Sequence, residues 1–365
     1  MKKRVLVFTN EIAPYRIPFF NRLHQERAYE FLFVFNHIKS WRRHWRIDLG
    51  EIGFRYHVLG SPRPHRESLS FNGIQVLKIY RDFNPHIVII GGFYLNNLLA
   101  LGMARILGKK IVFWGEFSEY AFRSLPRWKQ LYQRLLFKHM CHYTISSGTM
   151  GKEFCDGLLD PRRNFISLIT IDYLEGLEVK EVHDPIRMLY IGTFSQRKGI
   201  DLLLWTFKKL QQGIPSLQLT LIGDGDWNPY QAVVEELHIQ HVRFLPFMRK
   251  DELSRYYEDH DVFLFFSRMD PWGLVINEAM NYGLAIVCSK YAGASRDLVE
   301  KRNGLVIDPY DISESAAEIA AMIKDRAALL EMKKASRTVL KEKDNKRAVV
   351  QFINALDHIT SSDDV

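Results

Sequence analysis

Two stretches in the second half of this chain combine residue types and spacings that could hold an anionic ligand. The first is Gly192-Thr193-Phe194-Ser195-Gln196-Arg197-Lys198-Gly199, which leads from a β-type segment into a helical one. Glycine lets the backbone approach a ligand closely, and two adjacent cations can neutralise a phosphate group. Taken alone, an Arg-Lys pair fits a solvated helix start just as well. The second stretch is Ser267 to Gly283, SRMDPWGLVINEAMNYG, in which Asp270 and Glu278 stand eight apart. Pro271 and Gly273 force a loop around Trp272, and Leu274 to Asn281 is made of good helix formers. The amides of Gly273, Leu274 and Val275 then fall at a helix N-terminus, a ready anion site. One turn further in, Glu278 can accept two hydrogen bonds from vicinal hydroxyls of a ribose. The alternative is an ordinary loop whose acids face solvent.

These loops need a scaffold, and the hydrophobic pattern supplies one. Unbroken apolar runs of strand length recur through the chain: Arg4 to Thr9, Glu30 to Phe35, His86 to Gly91, Lys110 to Trp114 and His142 to Ser146. A polar stretch, Glu175 to Arg187, then reads as a linker. After it come Met188 to Gly192, Leu217 to Gly223, Val242 to Leu245, Asp261 to Phe266 and Ala285 to Ser289. Helical segments, among them one from Ile17 and one over Leu95 to Leu107, alternate with these runs. Strands that are apolar throughout are buried on both faces, so the pattern implies parallel sheets covered by helices. The expectation is two doubly wound Rossmann-like α/β domains. Residues 1–180 would form the first domain and 181–345 the second. Residues 346–365 would be a C-terminal helix packing back toward the first domain, ending in a disordered tail. Ligands of open parallel sheets bind outside the carboxyl ends of the strands, and both stretches lie there.

Taken together, these residues resemble a known family. The run D-P-W-G-L-V-x-N-E-A-M-x-x-G from Asp270 is similar to the acid-x7-acid signature of retaining glycosyltransferases of family 4, which have the GT-B fold of two Rossmann-like domains facing a cleft. The Gly192 to Gly199 loop, with Lys198-Gly199-Ile200-Asp201-Leu202-Leu203, resembles that family's diphosphate-binding segment. Leu221 to Gly225, Val242 to Leu245, Gly293 and Asn303 to Val306 follow in the family's order. The resemblance spans residues 188–310. It implies that Arg197 and Lys198 grip the diphosphate of a nucleotide-sugar donor, that Asp270 meets the sugar hydroxyls, and that Glu278 holds the ribose. Phe247 and Met248 would lie beside the base, while Trp272, Gly273, Leu274, Val275 and Gly192 would line the donor site. Two departures stand out: Asp270 where glutamate is usual, and Pro246 where glycine is common. The implied activity is transfer of a hexosyl group, from a UDP-sugar such as UDP-glucose, to a saccharide or lipid-linked saccharide. A catalytically silent sugar-nucleotide-binding protein is the other reading. No cofactor is implied. Asp224-Gly225-Asp226 spells a metal-binding D-x-D, but its place inside Leu221 to Gly225 argues for a tight turn, so no metal is expected.

The first half is less explicit. The loop Asn10 to Arg16 lacks the glycine pair that relatives often carry there, yet its position offers Tyr15 or Arg16 as donor contacts. Glu116 ends a strand where relatives often have a histidine at the reacting sugar; it is either a catalytic carboxylate or a cap of the next helix. Arg123 to Met140 reads as an amphipathic helix, with Leu125, Trp128, Leu131, Tyr132, Leu135, Leu136 and His139 on one arc and Arg123, Arg127, Arg134 and Lys138 on another. Core packing is the default for the apolar arc, and docking at an anionic membrane is the alternative. Trp41 to Arg46 adds a second basic-aromatic cluster.

Charge is unevenly divided. Residues 1–183 carry 27 Lys and Arg against 16 Asp and Glu, a net +11, and the remainder 23 against 26, a net −3, giving the overall +8. The first half is therefore expected to meet something anionic. Basic charge without a recognisable nucleic-acid motif does not argue for nucleic acid. The three cysteines show no metal spacing, which suits a reducing cytoplasm. Val5 to Phe8 is too short for a signal peptide, and Asn96, Asn97 and Arg105 interrupt the apolar region Ile87 to Leu107, so a membrane span is not expected.

Overall fold

The computed structural model describes residues 2–38, 47–60 and 71–362. The Trp41 to Arg46 cluster lies outside them, as do most of the loops Lys39 to Asp48 and Ser61 to Phe71 and the tail after residue 362. The chain divides into two compact units, one of residues 1–172 with 345–365 and one of residues 173–344.

In the first unit the described residues form a seven-stranded parallel sheet. Its strands are β1 (Lys3–Glu11), β2 (Tyr29–His37), β3 (Tyr56–Val58), β4 (Ile87–Ile90), β5 (Lys110–Gly115), β6 (Tyr143–Ser146) and β7 (Asn164–Ile166), in the order β3-β2-β1-β4-β5-β6-β7. The helices are α1 (Ile17–Gln25), α2 (Gly73–Phe83), α3 (Leu95–Ile106), α4 (Glu119–Arg123), α5 (Arg127–Met140) and α6 (Thr149–Asp156). Alternate residues of β1 serve opposite layers, as the two-residue period of a strand requires. Val5 and Val7 pack on one face with Phe20, Trp114 and Phe352, and Leu6 and Phe8 on the other with Val76, Leu101 and Phe137.

The second unit holds a six-stranded parallel sheet in the order β10-β9-β8-β11-β12-β13. Its strands are β8 (Arg187–Ile191), β9 (Gln218–Gly223), β10 (Val242–Pro246), β11 (Val262–Phe265), β12 (Ala285–Ser289) and β13 (Gly304–Ile307). Between and after them lie α7 (Ile200–Gly213), α8 (Asn228–Glu236), α9 (Lys250–Glu258), α10 (Leu274–Asn281), α11 (Ala294–Leu298), α12 (Ile312–Lys324) and α13 (Arg326–Glu342). The chain then returns to the first unit as α14 (Asn345–Ser361), where Phe352 meets Phe19 at 5.6 Å and Trp114 at 5.3 Å between ring centroids. No helix among the described residues is long and apolar enough to cross a membrane.

Two sequence readings need correction. The stretch Glu175 to Arg187 is not a free linker: Val182 packs on the second core, Lys180 pairs with Asp259 at 2.9 Å, and His183 donates its amide to Asp261 at 3.2 Å. Its polar residues are largely exposed, and several of them tie the stretch to the second unit by ion pairs and hydrogen bonds. The strands β3, β7 and β13 escaped the apolar-run criterion because they are short edge strands with partly exposed residues.

Asp261 anchors the entry to β11. It is fully buried and pairs with buried Lys333 at 2.8 Å, and it also accepts from the amide of Arg187 at 3.0 Å. Burial alone would push its carboxyl up, but Lys333, the Arg187 amide and His183 outweigh that and hold it below the usual carboxylate range. A carboxylate depressed by folding contributes stability above its unfolded pKa that is lost as pH falls. Lys333→Met leaves Asp261 buried without its cation and is expected to cost about 3–5 kcal/mol, read from the urea denaturation midpoint. A loss within experimental error would remove this pair from the fold's supports.

Candidate functional site

The second unit brings Arg197, Lys198 and Asp270 to one point. Arg197 and Lys198 lie on a single 3-10 turn, Gln196–Lys198, between β8 and α7. Gly199, at φ +64°, closes that turn and opens α7. A Cβ at Gly199 would collide with the carbonyl oxygen of Phe266, so only glycine lets the turn approach the end of β11. Gly223 is equally crowded, since a Cβ there would strike the carbonyl oxygen of Gly192.

Asp270 Oδ2 accepts from Lys198 Nζ at 2.6 Å and from Arg197 Nη1 at 3.0 Å. Its Oδ1 accepts from the amide of Trp272 at 3.3 Å. Asp270 and Lys198 are largely buried, whereas Arg197 is about half exposed. Lys198 Nζ also stands 4.9 Å from the centroid of the Phe265 ring, a cation–π contact. Two cations share one carboxylate, so the cluster keeps one net positive charge and suits an anionic ligand. Burial lowers the Lys198 pKa below the usual lysine range, against the opposing pull of Asp270.

The loop that follows is held by its neighbour. The Asp270 amide donates to the Tyr291 carbonyl at 3.2 Å, Gly293 donates to the Asp270 carbonyl at 3.0 Å, and Ala294 donates to the Trp272 carbonyl at 3.0 Å. Gly293 is obligatory, because a Cβ would overlap the Pro271 carbonyl. Gly273 enters α10 at φ +101°, and no side chain caps that helix, so the Gly273, Leu274 and Val275 segment presents an N-terminus with its dipole uncapped.

Glu278, half-buried on the first turns of α10, accepts from the Tyr257 hydroxyl at 2.9 Å. Burial pushes its carboxyl up, and Tyr257 and Lys250 only partly restrain the shift. Trp272 corrects the expectation of a ligand-lining side chain. Its indole is 2% exposed and donates to Asn277 Oδ1 at 3.2 Å, so it fixes the loop from beneath. Phe247 and Met248 follow β10, with Phe247 48% exposed. Gly192 follows β8, with the Tyr190 hydroxyl beneath it donating to the Thr193 carbonyl at 3.0 Å.

Two participants were not legible in the sequence. Arg268 makes a two-pronged pair with Asp201 at 2.7 and 2.6 Å, donates to the Gln196 carbonyl at 2.7 Å, and sends its own amide to the Arg197 carbonyl at 2.9 Å. It locks the cationic turn to the Asp270 loop across about seventy residues of chain, a separation no local pattern encodes. Tyr257, on α9, likewise meets Glu278 only in the folded sheet. Asp224-Gly225-Asp226 forms the expected tight turn: Gly225 has φ +106°, Asp224 Oδ1 accepts from the Gly225 amide at 2.8 Å, and Asp226 Oδ1 from the Asn228 amide at 3.0 Å.

The first unit has a separate cavity of about 300 Å³ at the carboxyl ends of β1, β4 and β5. Asn10, Glu11, Tyr15, Arg16, Gly92 and Glu116 line it. Arg16 Nη2 faces Glu116 Oε1 at 3.5 Å, and its guanidinium lies 4.8 Å from the Trp114 ring. The cap of α4 is Ser118 rather than Glu116, which leaves the Glu116 carboxylate turned toward the cavity. The glycines missing from the Asn10 to Arg16 loop have a counterpart on the adjacent strand. Gly91 donates to the Phe8 carbonyl at 2.7 Å, and Gly92, at φ +115°, has no room for a Cβ beside Asn10 Oδ1. A buried carboxamide network supports this rim. Asn36 donates to Asn97 Oδ1 at 2.9 Å and to the Thr9 carbonyl at 3.2 Å, and Asn97 donates to the Gly92 carbonyl at 2.9 Å.

The lowered Lys198 pKa has a measurable consequence. Pyrophosphate binding, followed by calorimetry, should weaken as pH rises, with a midpoint below the ordinary lysine range. Asp270→Asn removes the group that opposes the shift and should move the midpoint lower still. A midpoint at or above that of free lysine would show that Lys198 is not the cation engaged.

Residues 178–339 match the family model described as glycosyl transferases group 1. The chain is 28% identical over 172 residues to the sulfoquinovosyl transferase SQD2 of Arabidopsis thaliana, covering 46% of this chain and 32% of that protein. It is 27% identical over 156 residues to a glycogen synthase of Mycobacterium tuberculosis, covering 42% of this chain and 37% of that protein. It thus spans about a third of the length of these curated relatives. Among solved structures, Anabaena HepE in complex with UDP-glucose superimposes with a TM-score of 0.69 at 15% identity, covering 97% of this chain and 99% of that one. The two parallel-sheet Rossmann-like domains match the fold of GT-B glycosyltransferase structures, and residues 178–339 are similar to the glycosyl transferases of group 1.

Proposed function

We propose that this protein is a retaining glycosyltransferase of the family 4 kind. It would move a hexosyl group from a nucleotide sugar, a UDP-sugar such as UDP-glucose, to a saccharide or lipid-linked saccharide held by the first unit. The observation that carries this reading is the Lys198–Asp270–Arg197 cluster, with Lys198 and Asp270 largely buried, beside the uncapped N-terminus of α10. It is a cationic, preorganised seat of the kind a diphosphate leaving group needs. The binding of UDP-glucose by the HepE structure supports the choice of donor.

On this reading Arg197 and Lys198 take the diphosphate, and Asp270 holds both cations in place while facing the donor sugar. Glu278 accepts from the ribose hydroxyls through the oxygen not engaged by Tyr257, and Phe247 and Met248 lie along the base. In the transfer, the bond from the sugar's anomeric carbon to the diphosphate oxygen breaks as a new bond forms to the acceptor hydroxyl on the same face. The departing phosphate oxygen takes the acceptor's proton. No separate protein base is required, and stabilising the developing negative charge is the main contribution of the protein. In the first unit, Tyr15, Arg16 and Glu116 line one cavity, where Tyr15 or Arg16 would contact the donor and Glu116 would orient the reacting hydroxyl of the acceptor.

A protein that binds sugar nucleotides without turning them over is the other reading. Slow hydrolysis of UDP-glucose in the absence of acceptor supports transfer chemistry, whereas binding with no hydrolysis supports the silent reading. Lys198→Ala should lower the chemical rate about a hundredfold or more, the roughly 3–4 kcal/mol expected for loss of one preorganised charge contact. A mild effect would count against its role. Glu116→Gln should lower turnover much more than UDP affinity, and unchanged turnover would remove Glu116 from the reaction.

A further inference from the structure

Among the described residues, none covers the apolar stripe on the outer surface of α5. Leu136, Phe137 and Met140 turn inward, and Phe137 packs 5.0 Å from Phe113 and 5.4 Å from Phe117 between ring centroids. Apart from Leu136, most of the apolar arc expected to enter the core faces out instead. Trp128 is 66%, Leu131 60%, Tyr132 38% and Leu135 48% exposed. These four stand at i, i+3, i+4 and i+7, one contiguous stripe on an α-helix. Leucine side chains held in water at that exposure cost free energy in an isolated protein, so the stripe suits a surface that removes them from water.

The residues bordering the stripe identify that surface. On a helical projection Arg127, Arg134 and Lys138 run along one edge, Lys129 Nζ stands 5.3 Å from the centroid of the Trp128 ring, and all four are exposed. The helix sequence RWKQLYQRLLFKHM contains no acid. Tryptophan and tyrosine favour the boundary between headgroups and acyl chains, where an apolar ring and a polar edge are both satisfied. Basic edges around an apolar stripe match anionic headgroups above a hydrocarbon layer. On the same face of the first sheet, α2 and α3 leave Ile74, Leu77, Ile106 and Leu107 exposed as well.

We infer that the outer face of α5 docks the protein on an anionic lipid membrane, with Trp128, Leu131, Tyr132 and Leu135 in the interface and Arg127, Lys129, Arg134 and Lys138 against the headgroups. This docking stands apart from the transfer reaction and holds whatever the donor or acceptor is. It needs no membrane-spanning segment, because an interfacial helix lies parallel to the surface.

The test is flotation of the full chain with vesicles of phosphatidylcholine alone and of phosphatidylcholine mixed with phosphatidylglycerol, at low and high salt. Binding to the mixed vesicles at low salt, weakened by high salt and by omission of phosphatidylglycerol, is expected. The triple variant Arg127→Glu, Arg134→Glu, Lys138→Glu should reduce binding about tenfold or more, and Leu131→Ser with Leu135→Ser should reduce it comparably. All five positions are exposed, and an unchanged melting temperature checks that each variant folds. Brominated lipid should quench tryptophan fluorescence in the parent chain and much less in Trp128→Phe. Absence of flotation at low salt, or flotation unaltered in both folded variants, would overturn the assignment. So would a concentration-dependent dimer abolished by the leucine substitutions, which would give the stripe to a second copy of the chain.

Discussion

One carboxylate organises the second unit. Asp270 sits where two loops converge at the carboxyl ends of neighbouring strands, and its Oδ2 draws Lys198 and Arg197 to the same point. Each component is costly alone: a mostly buried lysine loses hydration, and two adjacent cations repel. Asp270 offsets both terms, and the surplus positive charge is what remains available to a ligand. Around it the glycines are geometric necessities. Gly199, Gly223 and Gly293 stand where any side chain would collide with a backbone carbonyl of an adjacent loop. The charges can converge only because these backbones nearly touch.

The support reaches outward in steps. Arg268 fixes the cationic turn by its backbone and its guanidinium at once, and Trp272 fills the space beneath the Asp270 loop. Farther back, the buried Asp261–Lys333 pair sets where β11 begins, and β11 delivers the loop that carries Asp270. The first unit solves a similar problem with neutral groups. Carboxamides of Asn36 and Asn97 tie the ends of β1, β2 and β4 together under the cavity, leaving Arg16 and Glu116 as its charged pair. Neutral amides suit a buried rim because each can both donate and accept without the desolvation penalty of an ion.

Much of this was legible before the structure. Apolar runs of strand length found most strands of both sheets, because buried parallel strands are written as continuous hydrophobic stretches. The short edge strands β3, β7 and β13 were missed for the converse reason: one side of each is open, and the apolar signal thins. The Asp270 to Glu278 loop was singled out by residue type and spacing, and within it Trp272 was given a ligand-facing role that its burial denies. The amphipathic pattern of α5 was correct in period and wrong in direction, since periodicity defines an apolar stripe without saying what covers it. The inward face instead uses Phe137, Leu136 and Met140.

The sequence by itself determined the fold class, the two sheets, and which cations and acids stand in the two loops after β8 and β11, because those follow from local periodicity and short spacings. Only the tertiary structure decided that Asp270 is shared between Arg197 and Lys198, that Arg268 pairs with Asp201, and that Tyr257 reaches Glu278. It also decided that Glu116 turns to Arg16 rather than capping α4. These contacts join residues from about twenty to a hundred positions apart, and their partners are chosen by strand order and loop approach rather than by any neighbour in the chain. Hydrogen bonding and charge pairing act over a few ångströms, so a sequence names candidate partners and the packed sheet selects among them.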